Sequence, residues 1–538
     1  MAGHDAIIVG GGHNGLVAAF YLAKAGQRVL VLEQRDQVGG PASTIEFFPG
    51  YRGAITNSPG SLEPRIVADM QLEKHGLAWA KPDPSVIMPF PDGRFFVGWR
   101  DQNRLRELIA RDFSRHDAAA YFDIFRFFDD FARRIGVSLF EAPPTLQELV
   151  GRLKTSQDED DFATIFFGSI RDFLEARLES DAVRTSIAML STGGAAVAPS
   201  TPGTPIALLQ RPMSMVSSAS SGTHDPRNQV LRGSTGLPLG GMGSITTAMR
   251  RAVEALGVTI MTGAAVRGIR VDSTGQARGV HLANGDEYDA PVIVSNLHPA
   301  TTLLRLVEER HVPGDLLGRL RALGPGAATF KVVLALDEPP HFAGAPSELA
   351  DAYASCQIRI CPDMTYLEQQ FRDYIDGRCS LTPRLMGLVP TMTDPTMAPP
   401  GRHLLSVNAW YFRRDLAEGS WETMRDVVGE SIVNILAGYI PSLKRSIVAR
   451  KFYSPIEFEQ DFGLIGGNFA HIDMTPAHMF GFRPTPGLAH YRTPVRGLYL
   501  CGAGTWPGGT VTGVPGHNAA HQVLRDLIDA PSASMETA

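Results

Sequence analysis

The hydrophobic and polar positions of the first forty residues follow two patterns, one typical of buried strands and one of a helix packed on a sheet. The apolar run Ala6–Val9 predicts a short buried strand, and the run 28–32 predicts a second. Between them, residues 15–25 place apolar side chains at helical spacing: Leu16, Ala19, Phe20 and Ala23. Strand, helix and strand in this order predict a parallel α/β sheet.

The turn between the first strand and the helix carries the pattern G-x-G-x-x-G as Gly10, Gly12 and Gly15. In a nucleotide-binding turn these glycines allow a tight bend, a close approach of backbone to the pyrophosphate, and close packing of helix on sheet. Glu33 ends the second strand about 20 residues later, where a carboxylate accepts hydrogen bonds from a ribose diol and disfavours a 2′-phosphate. The sequence therefore predicts a pocket for the ADP half of a dinucleotide.

Similar patterns recur in the middle and at the end of the chain. The runs 258–260, 266–271, 279–282 and 290–295 predict strands. An apolar run at 497–501 leads into a G-x-G turn, and a helix follows at about 513. Taken by itself this last segment fits either a second ligand-binding turn or an ordinary strand and helix.

Three other segments have distinct patterns. Residues 104–153 read as helical with one aromatic face, which fits either a helix buried in a second domain or a surface for lipid or lipophilic substrate. Residues 193–240 are rich in Ser, Gly, Pro and Thr without periodicity, so we expect long loops there. Residues 532–538 read as a disordered tail. The aromatic face consists of Tyr121, Phe122, Phe125, Phe128 and Phe131.

Composition fits a large soluble enzyme. With 538 residues, 44% of them hydrophobic and 20% charged, the chain is long enough for two domains with sizeable cores. A net charge of −6 gives no reason to expect nucleic acid as a partner. We expect no signal peptide, because the first strand begins at about residue 5, and no transmembrane helix. Four cysteines do not suggest a disulfide framework, so we expect a cytoplasmic location, with peripheral membrane association left open.

Cys356 and Cys361 have the C-x-x-x-x-C spacing of redox-active cysteine pairs in disulfide reductases. In those enzymes the pair closely follows the first nucleotide-binding strand and helix, whereas here it lies hundreds of residues away. We therefore predict two separate thiols and no disulfide reductase activity.

The chain resembles the phytoene desaturase type of FAD oxidoreductase within the amine oxidase superfamily. The resemblance is strongest to the subgroup that contains pyridine nucleotide-disulphide oxidoreductase domain-containing protein 2. It covers nearly the whole chain and is carried by GGGHNGLVAAFYLAKAGQRVLVLE, GLPLGGMGSI, FGLIGGN, YRTPVRGLYLCGAGTWPGG and PGHNAA. It implies a Rossmann-like FAD domain of the glutathione reductase 2 type, α/β in class, interleaved with an α+β substrate or cap domain. The FAD domain would comprise 1–75, 236–300 and 490–531, and the substrate domain 76–235 and 301–489.

The resemblance extends the FAD site beyond the first turn. LEQRDQVGG is similar to the segment whose diglycine approaches the diphosphate, and the backbone of Val266 would meet the adenine. The C-terminal segment would meet the pyrimidine end of the flavin. Besides Gly10, Gly12, Gly15 and Glu33, the implied FAD-binding residues are His13, Asn14, Gln34, Arg35, Gly39, Gly40, Val266, Gly502, Ala503, Gly504, Gly513, Val514 and Pro515.

Four residues are candidates for catalysis. Lys331 lies in GAATFKVVLAL, which is similar to the segment whose lysine holds a water near flavin N5 in monoamine oxidases; alternatively, it is a strand lysine that reaches solvent at a sheet edge. His471 and His517 could titrate near neutral pH or could only make structural hydrogen bonds. Trp506 could stack near the isoalloxazine or simply fill space.

Two departures from the amine oxidases argue against an amine substrate. Pro41 stands where those enzymes carry an arginine, and Gly513 stands where they carry a tyrosine of the aromatic cage. No second nucleotide motif is visible, so we expect electrons to pass to oxygen, a quinone or a protein carrier. The expected activity is dehydrogenation or desaturation of an apolar small molecule such as a polyene or isoprenoid. Amine oxidation with release of hydrogen peroxide, and an FAD-containing binding protein with little turnover, are the alternatives.

Overall fold

A computed structural model describes residues 3–57, 61–220, 222 and 236–529. The predicted tail at 532–538 lies outside the described residues. The strands are β1 Ala6–Val9, β2 Val29–Leu32, β3 Thr44–Phe48, β4 Tyr51–Ala54, β5 Trp79–Ala80, β6 Val86–Pro89, β7 Phe95–Gly98, β8 Leu237–Pro238, β9 Thr259–Met261, β10 Val266–Val271, β11 Ala277–Leu282, β12 Glu287–Asp289, β13 Val292–Ser295, β14 Ala328–Leu336, β15 Gln357–Ile360, β16 Leu385–Leu388, β17 His403–Phe412, β18 Ile447–Tyr453 and β19 Leu498–Leu500.

Helices cover or connect these strands. They are α1 His13–Lys24, α2 Pro64–Asp69, α3 Gln102–Asp112, α4 Asp117–Ile135, α5 Leu146–Val150, α6 Ser156–Phe166, α7 Ile170–Glu175, α8 Asp181–Ser191, α9 Gln210–Ser220, α10 Gly243–Glu254, α11 Pro299–Thr301, α12 Gly314–Ala322, α13 Ala350–Ala354, α14 Met364–Ile375, α15 Trp421–Tyr439, α16 Leu443–Ser446, α17 Pro455–Phe462 and α18 Val514–Asp529. Within the described ranges, no helix is long and apolar enough to cross a membrane.

A five-stranded parallel sheet has the order β19-β13-β1-β2-β9. Its inner strand β1 is buried at every position, as its unbroken apolar run predicts for a parallel strand covered on both faces. Its strands come from three stretches of the chain that are far apart in sequence. The predicted α/β class is confirmed.

A seven-stranded mixed sheet has the order β18-β14-β17-β16-β15-β6-β7. All nine residues of β14 are buried, because this strand lies between β18 and β17 with elements packed on both faces. The helices α3 to α9 lie between β7 and β8 in the chain and include the aromatic helix α4. All five aromatic residues predicted on one face of α4 are buried, so the interpretation as a core helix is confirmed.

The prediction of long loops over residues 193–240 is wrong in part. It contains a 3₁₀ turn, Thr204–Leu209, followed by α9. The serines that suggested a loop lie on the buried face of α9, where Ser217 Oγ donates to the Met213 carbonyl at 2.7 Å. Residues 223–235 of the predicted loop lie outside the described residues.

Candidate active site

A cavity of about 500 Å³ lies between the two sheets. On one side it is bounded by the carboxyl ends of β1 and β2 and by the turn after β13, the edge at which open α/β sheets bind ligands. On the other side it is bounded by the face formed by β14 to β17 and by the end of α8. The parallel sheet therefore supplies the edge at which a nucleotide would bind, called the nucleotide edge below. The mixed sheet supplies the opposite side of the cavity, called the wall.

The first glycine turn has the conformation that its sequence predicts. Gly10 has φ +98°, a left-handed value that favours glycine. A Cβ on Gly12 would lie 2.7 Å from Asn296 Nδ2, and one on Gly15 would lie 2.3 Å from the Gly10 carbonyl oxygen. Gly10 and Gly12 line the cavity, whereas Gly15 lies behind the turn, where α1 packs on β1.

His13 and Asn14, the first residues of α1, also line the cavity. His13 Nε2 and Asn14 Oδ1 are buried without a hydrogen-bond partner in the described structure. Burial lowers the pKa of His13 to about 4, so its ring is neutral at physiological pH. Buried polar atoms are normally paired, so these two indicate a polar ligand at the amino end of α1.

Glu33 closes the adjacent end of the cavity. Its carboxylate accepts hydrogen bonds from the backbone N–H of Gly11 at 2.8 Å and of Arg35 at 2.9 Å. Burial nevertheless raises the pKa of Glu33. Gln34, Arg35 and Val266 line the cavity beside it, and the Arg35 guanidinium lies over the Phe462 ring.

The diglycine after β2 lies against the first glycine turn. The Gly39 N–H donates to the Gly11 carbonyl at 2.9 Å, and Gly39 and Gly40 both line the cavity. Gly39 has φ +116°. Residues predicted from separate motifs therefore converge on one end of one cavity.

The C-terminal segment contributes fewer lining residues than predicted. Of the six predicted there, Ala503 lines the cavity, and Gly502, Gly504, Gly513, Val514 and Pro515 do not. A Cβ on Gly502 would lie 2.7 Å from the Asn296 carbonyl oxygen, and one on Gly504 would lie 2.6 Å from Pro299. These two glycines let the turn after β19 pack on the turn after β13. Gly509, Thr510 and Val511 line the cavity and were not predicted, although they lie in the same glycine-rich run.

Among the catalytic candidates, His471 lines the cavity. Its Nδ1 has no hydrogen-bond partner in the described structure, and its carbonyl oxygen lies 2.9 Å from Nε2 of His298. Burial holds the pKa of His471 well below its ordinary value, and His298, Arg483 and His13 lower it further. The ring is a neutral base inside the site.

His517 and Trp506 lie away from the cavity. His517 packs between Tyr21 and Phe140 and stacks on His521 at a centroid distance of 4.0 Å. Burial lowers its pKa to about 3. Trp506 is fully buried and stacks on Phe480 at 5.0 Å. In this structure both rings are part of the packing behind the site.

Lys331 lies on the inner strand β14 and is fully buried, so it does not reach solvent at a sheet edge. Its Nζ donates to Ser406 Oγ at 2.7 Å and to Asn408 Oδ1 at 3.1 Å. Burial lowers its pKa to about 7. Lys331 does not line the cavity, but its partner Asn408 does.

The wall opposite the nucleotide edge was missed from the sequence. It contains Thr329, Arg359, Arg384, Met386, Asn408, Trp410 and Tyr411. Strand alternation indicates such a wall, but only the pairing of strands far apart in sequence brings these side chains together. Glu33 is the only acidic residue among the described residues that line the cavity.

Arg483 was also not predicted from the sequence. It links two backbone segments that contribute residues to the cavity. It is fully buried and donates to the backbone carbonyls of two segments, 470–478 and 503–505. Its shortest bonds are 2.7 Å to Ala503 and 2.8 Å to Ala470. Burial lowers its pKa to about 9. It joins the segment carrying His471 to the turn after β19.

Cys356 and Cys361 are free, buried thiols next to β15 and do not line the cavity. Burial raises the pKa of both thiols. The prediction of two separate thiols is confirmed.

Comparisons with known proteins agree with this geometry. The model of the family "Flavin containing amine oxidoreductase" matches residues 15–524. The chain belongs to this family. Its cofactor is FAD, and the glycine turns, the unpaired His13 and Asn14 atoms and the Glu33 carboxylate fit that group.

Relatives span nearly the whole chain. Pyridine nucleotide-disulfide oxidoreductase domain-containing protein 2 of Mus musculus is 33% identical over 97% of this chain and 94% of that protein. A limonene dehydrogenase component of Castellaniella defragrans is 25% identical over 97% and 95%. Phytoene desaturase (lycopene-forming) of Pantoea ananas is 24% identical over 97% and 99%. The expected subgroup is confirmed.

The fold is shared with a solved member of the wider group. Cyclohexylamine oxidase from Brevibacterium oxydans superposes with a TM-score of 0.57 and 16% identity, over 98% of this chain and all of that one. The family match makes the chain an FAD-dependent oxidoreductase, and the shared fold agrees with a Rossmann-like FAD domain.

Proposed function

We propose that the protein is a dehydrogenase or desaturase that removes a hydride from a C–H bond of an apolar small molecule. The observation that carries the proposal is the charge of the wall opposite the nucleotide edge. Arg359 and Arg384 line this half of the cavity, whereas the acidic Glu33 lies at the other end. A protonated amine would be desolvated beside two guanidinium groups without a carboxylate partner, which disfavours C–N oxidation.

The rest of this wall supports an apolar substrate. Met189, Leu190, Met386 and Trp410 line it, together with the small residues that follow α8. Two relatives are named for terpenoid chemistry, the limonene dehydrogenase component and the phytoene desaturase. A polyene or isoprenoid is therefore the substrate type that we favour.

When bound, the flavin accepts the hydride at N5. Removing a hydride and forming a double bond also requires a proton acceptor. His471 is the candidate acceptor because its neutral ring lines the cavity and its Nδ1 has no protein partner in the described structure; its lowered pKa makes it a weak base that would hold the proton only briefly before passing it on. Lys331 and Asn408 would lie at the flavin end of the wall, and the Lys331 charge would favour reoxidation by oxygen. A quinone is the alternative acceptor.

Anaerobic reduction of the FAD-loaded protein tests this proposal. Limonene, carotenoid precursors, primary alcohols and primary amines would be added separately, and the loss of the flavin absorbance followed. We expect bleaching by at least one hydrocarbon and none by the amines. Bleaching by an amine, followed by hydrogen peroxide when oxygen is admitted, would refute the proposal, and so would the absence of bleaching by every apolar compound. The variant His471→Asn should slow bleaching at least a hundredfold without releasing FAD.

A further inference from the structure

Four residues stand in a row across four adjacent strands, and three of them, Asn408, Met386 and Arg359, line the wall of the cavity. Lys331 lies directly opposite Asn408, Asn408 opposite Met386, and Met386 opposite Arg359, on the adjacent strands β14, β17, β16 and β15. Residues directly opposite each other in neighbouring strands project from the same face of a sheet. The row therefore runs from the lysine that we place at the flavin end to a guanidinium at the far end.

Arg359 lies where two cavities meet. It lines the main cavity and also a second cavity of about 380 Å³, bounded by β6, β7 and α3. Its Nε and Nη2 donate to the same oxygen, Gln357 Oε1, at 2.8 and 2.6 Å. Across the described part of the chain, no carboxylate forms an ion pair with it. Burial lowers its pKa to about 10, and the nearby Arg384 acts in the same direction.

Arg359 is half-buried, whereas Arg384 and Arg483 are fully buried and direct most of their donors at protein oxygens, with only Arg384 Nε lacking a partner in the described structure. Arg384 donates to the Met189 carbonyl at 3.2 Å and to the Thr192 carbonyl and hydroxyl at 2.8 Å each. Arg483 is surrounded by backbone carbonyls, as described above. A guanidinium has five N–H donors, and Arg359 uses two of them on one amide oxygen. Arg359 therefore keeps donors for a ligand in the cavity.

We propose that Arg359 binds a carboxylate at the end of the substrate remote from the flavin, so that the substrate is a carboxylic acid with an apolar chain. This inference rests on the proposed function, because the flavin end of the row is assigned there. Three strand spacings separate Lys331 from Arg359, about 14 Å. An extended ten-carbon carboxylate spans that distance, because its C–C bonds advance about 1.25 Å each, roughly 11 Å in all, and the hydrogen bond to the guanidinium adds about 3 Å. Arg384 directs its terminal N–H groups at Met189 and Thr192, so the donors of Arg359 alone face the ligand, and they match one carboxylate better than a phosphate dianion.

Four ten-carbon probes test the inference by binding to the FAD-loaded protein: decanoate, 1-decanol, decylamine and decyl phosphate. Titration calorimetry and the shift of the flavin absorbance both measure binding without turnover. We expect decanoate to bind at least tenfold more tightly than 1-decanol, since a charge-assisted hydrogen bond contributes that much or more. Arg359→Gln should abolish this preference, and Arg359→Lys should retain part of it. Arg126→Gln, at an exposed site on α4, is the control and should leave the preference unchanged.

Equal binding of decanoate and 1-decanol by the unaltered protein would overturn the inference, whatever the variants do. A preference for decanoate that survives Arg359→Gln would overturn the assignment of Arg359, and tighter binding of decyl phosphate would overturn the choice of a carboxylate. Flavin bleaching separates this inference from the function on which it rests. If neutral apolar compounds bleach the flavin but decanoate is not preferred, only the carboxylate site fails. If decanoate binds through Arg359 but neither neutral apolar compounds nor apolar carboxylic acids bleach the flavin, the proposed dehydrogenase function fails.

Discussion

The buried Lys331 gives the protein a stability that depends on pH in a defined direction. The unfolded lysine keeps its proton up to its ordinary pKa of 10.5, whereas the folded lysine loses its proton near pH 7. Between these values the unfolded chain binds more protons, so the free energy of unfolding rises with pH. Below pH 7 the lysine is charged in both states, and the fold bears the full cost of burying the charge.

The size of this effect follows from the difference between the two values. A shift of one pKa unit corresponds to about 1.4 kcal/mol. The fall of the Lys331 pKa from 10.5 to about 7 therefore limits the cost of the buried charge to at most about 5 kcal/mol of folding stability. The hydrogen bonds to Ser406 and Asn408 persist around the charge and reduce that bound. Between pH 7.5 and pH 9.5 the expected rise in the free energy of unfolding is at most about 2.5 kcal/mol.

The assay compares urea unfolding of the native protein and of Lys331→Met at several pH values between 6.5 and 9.5, with FAD saturating. We expect the stability of the variant relative to the native protein to be greatest at pH 6.5 and to fall as the pH rises. Lys451→Met is the matched control, since Lys451 is an exposed lysine on the neighbouring strand β18. A stability difference for Lys331→Met that is constant with pH would refute the reasoning.

Three further predictions concern the part of the cavity where FAD would bind and the residues that pack behind it. Lys331→Met should slow reoxidation of the reduced flavin by oxygen at least tenfold in stopped-flow measurements at pH 6.5, because it removes a cation; an unchanged rate would remove Lys331 from the site. Arg483→Met should lower the free energy of unfolding by at least about 3 kcal/mol, since several buried carbonyls lose their donors; a loss under about 1 kcal/mol in urea unfolding would contradict this. Gly15→Ala should weaken FAD binding at least tenfold in fluorescence titrations, because the new Cβ would lie 2.3 Å from the Gly10 carbonyl oxygen. Gly318→Ala is the control and should not weaken it, because a Cβ at that position would have no neighbouring atom within 4 Å. Similar FAD affinities for these two variants would argue against the packing role of Gly15.

The nucleotide edge could be predicted from the sequence because its requirements are local. Gly10 and Gly12 must bend or approach closely within a few residues of a strand, and Glu33 follows at a characteristic distance. The observed φ of Gly10 and the close approach of Gly12 to Asn296 agree with these requirements. The FAD cofactor followed from these local patterns together with the family resemblance.

The wall of the cavity could not be predicted in the same way. The row from Lys331 to Arg359 exists because four strands pair in one register, and no local pattern specifies which residues stand opposite each other. For the same reason, no sequence pattern distinguishes His471, which lines the cavity, from His517, which packs behind it. The helix α9 was missed because serine favours loops unless its hydroxyl finds a backbone acceptor within the helix, as Ser217 does.

The parallel sheet has a consequence for synthesis of the chain. Its edge strand β19 begins at residue 498, and it pairs with β13, about two hundred residues earlier. A nascent chain therefore cannot complete this sheet, or the turn that carries Ala503, until the segment around residues 498–503 has left the ribosome. Completion of the cofactor site waits for this segment, and a chain terminated before β19 would expose the unpaired edge of β13 as a site for aggregation.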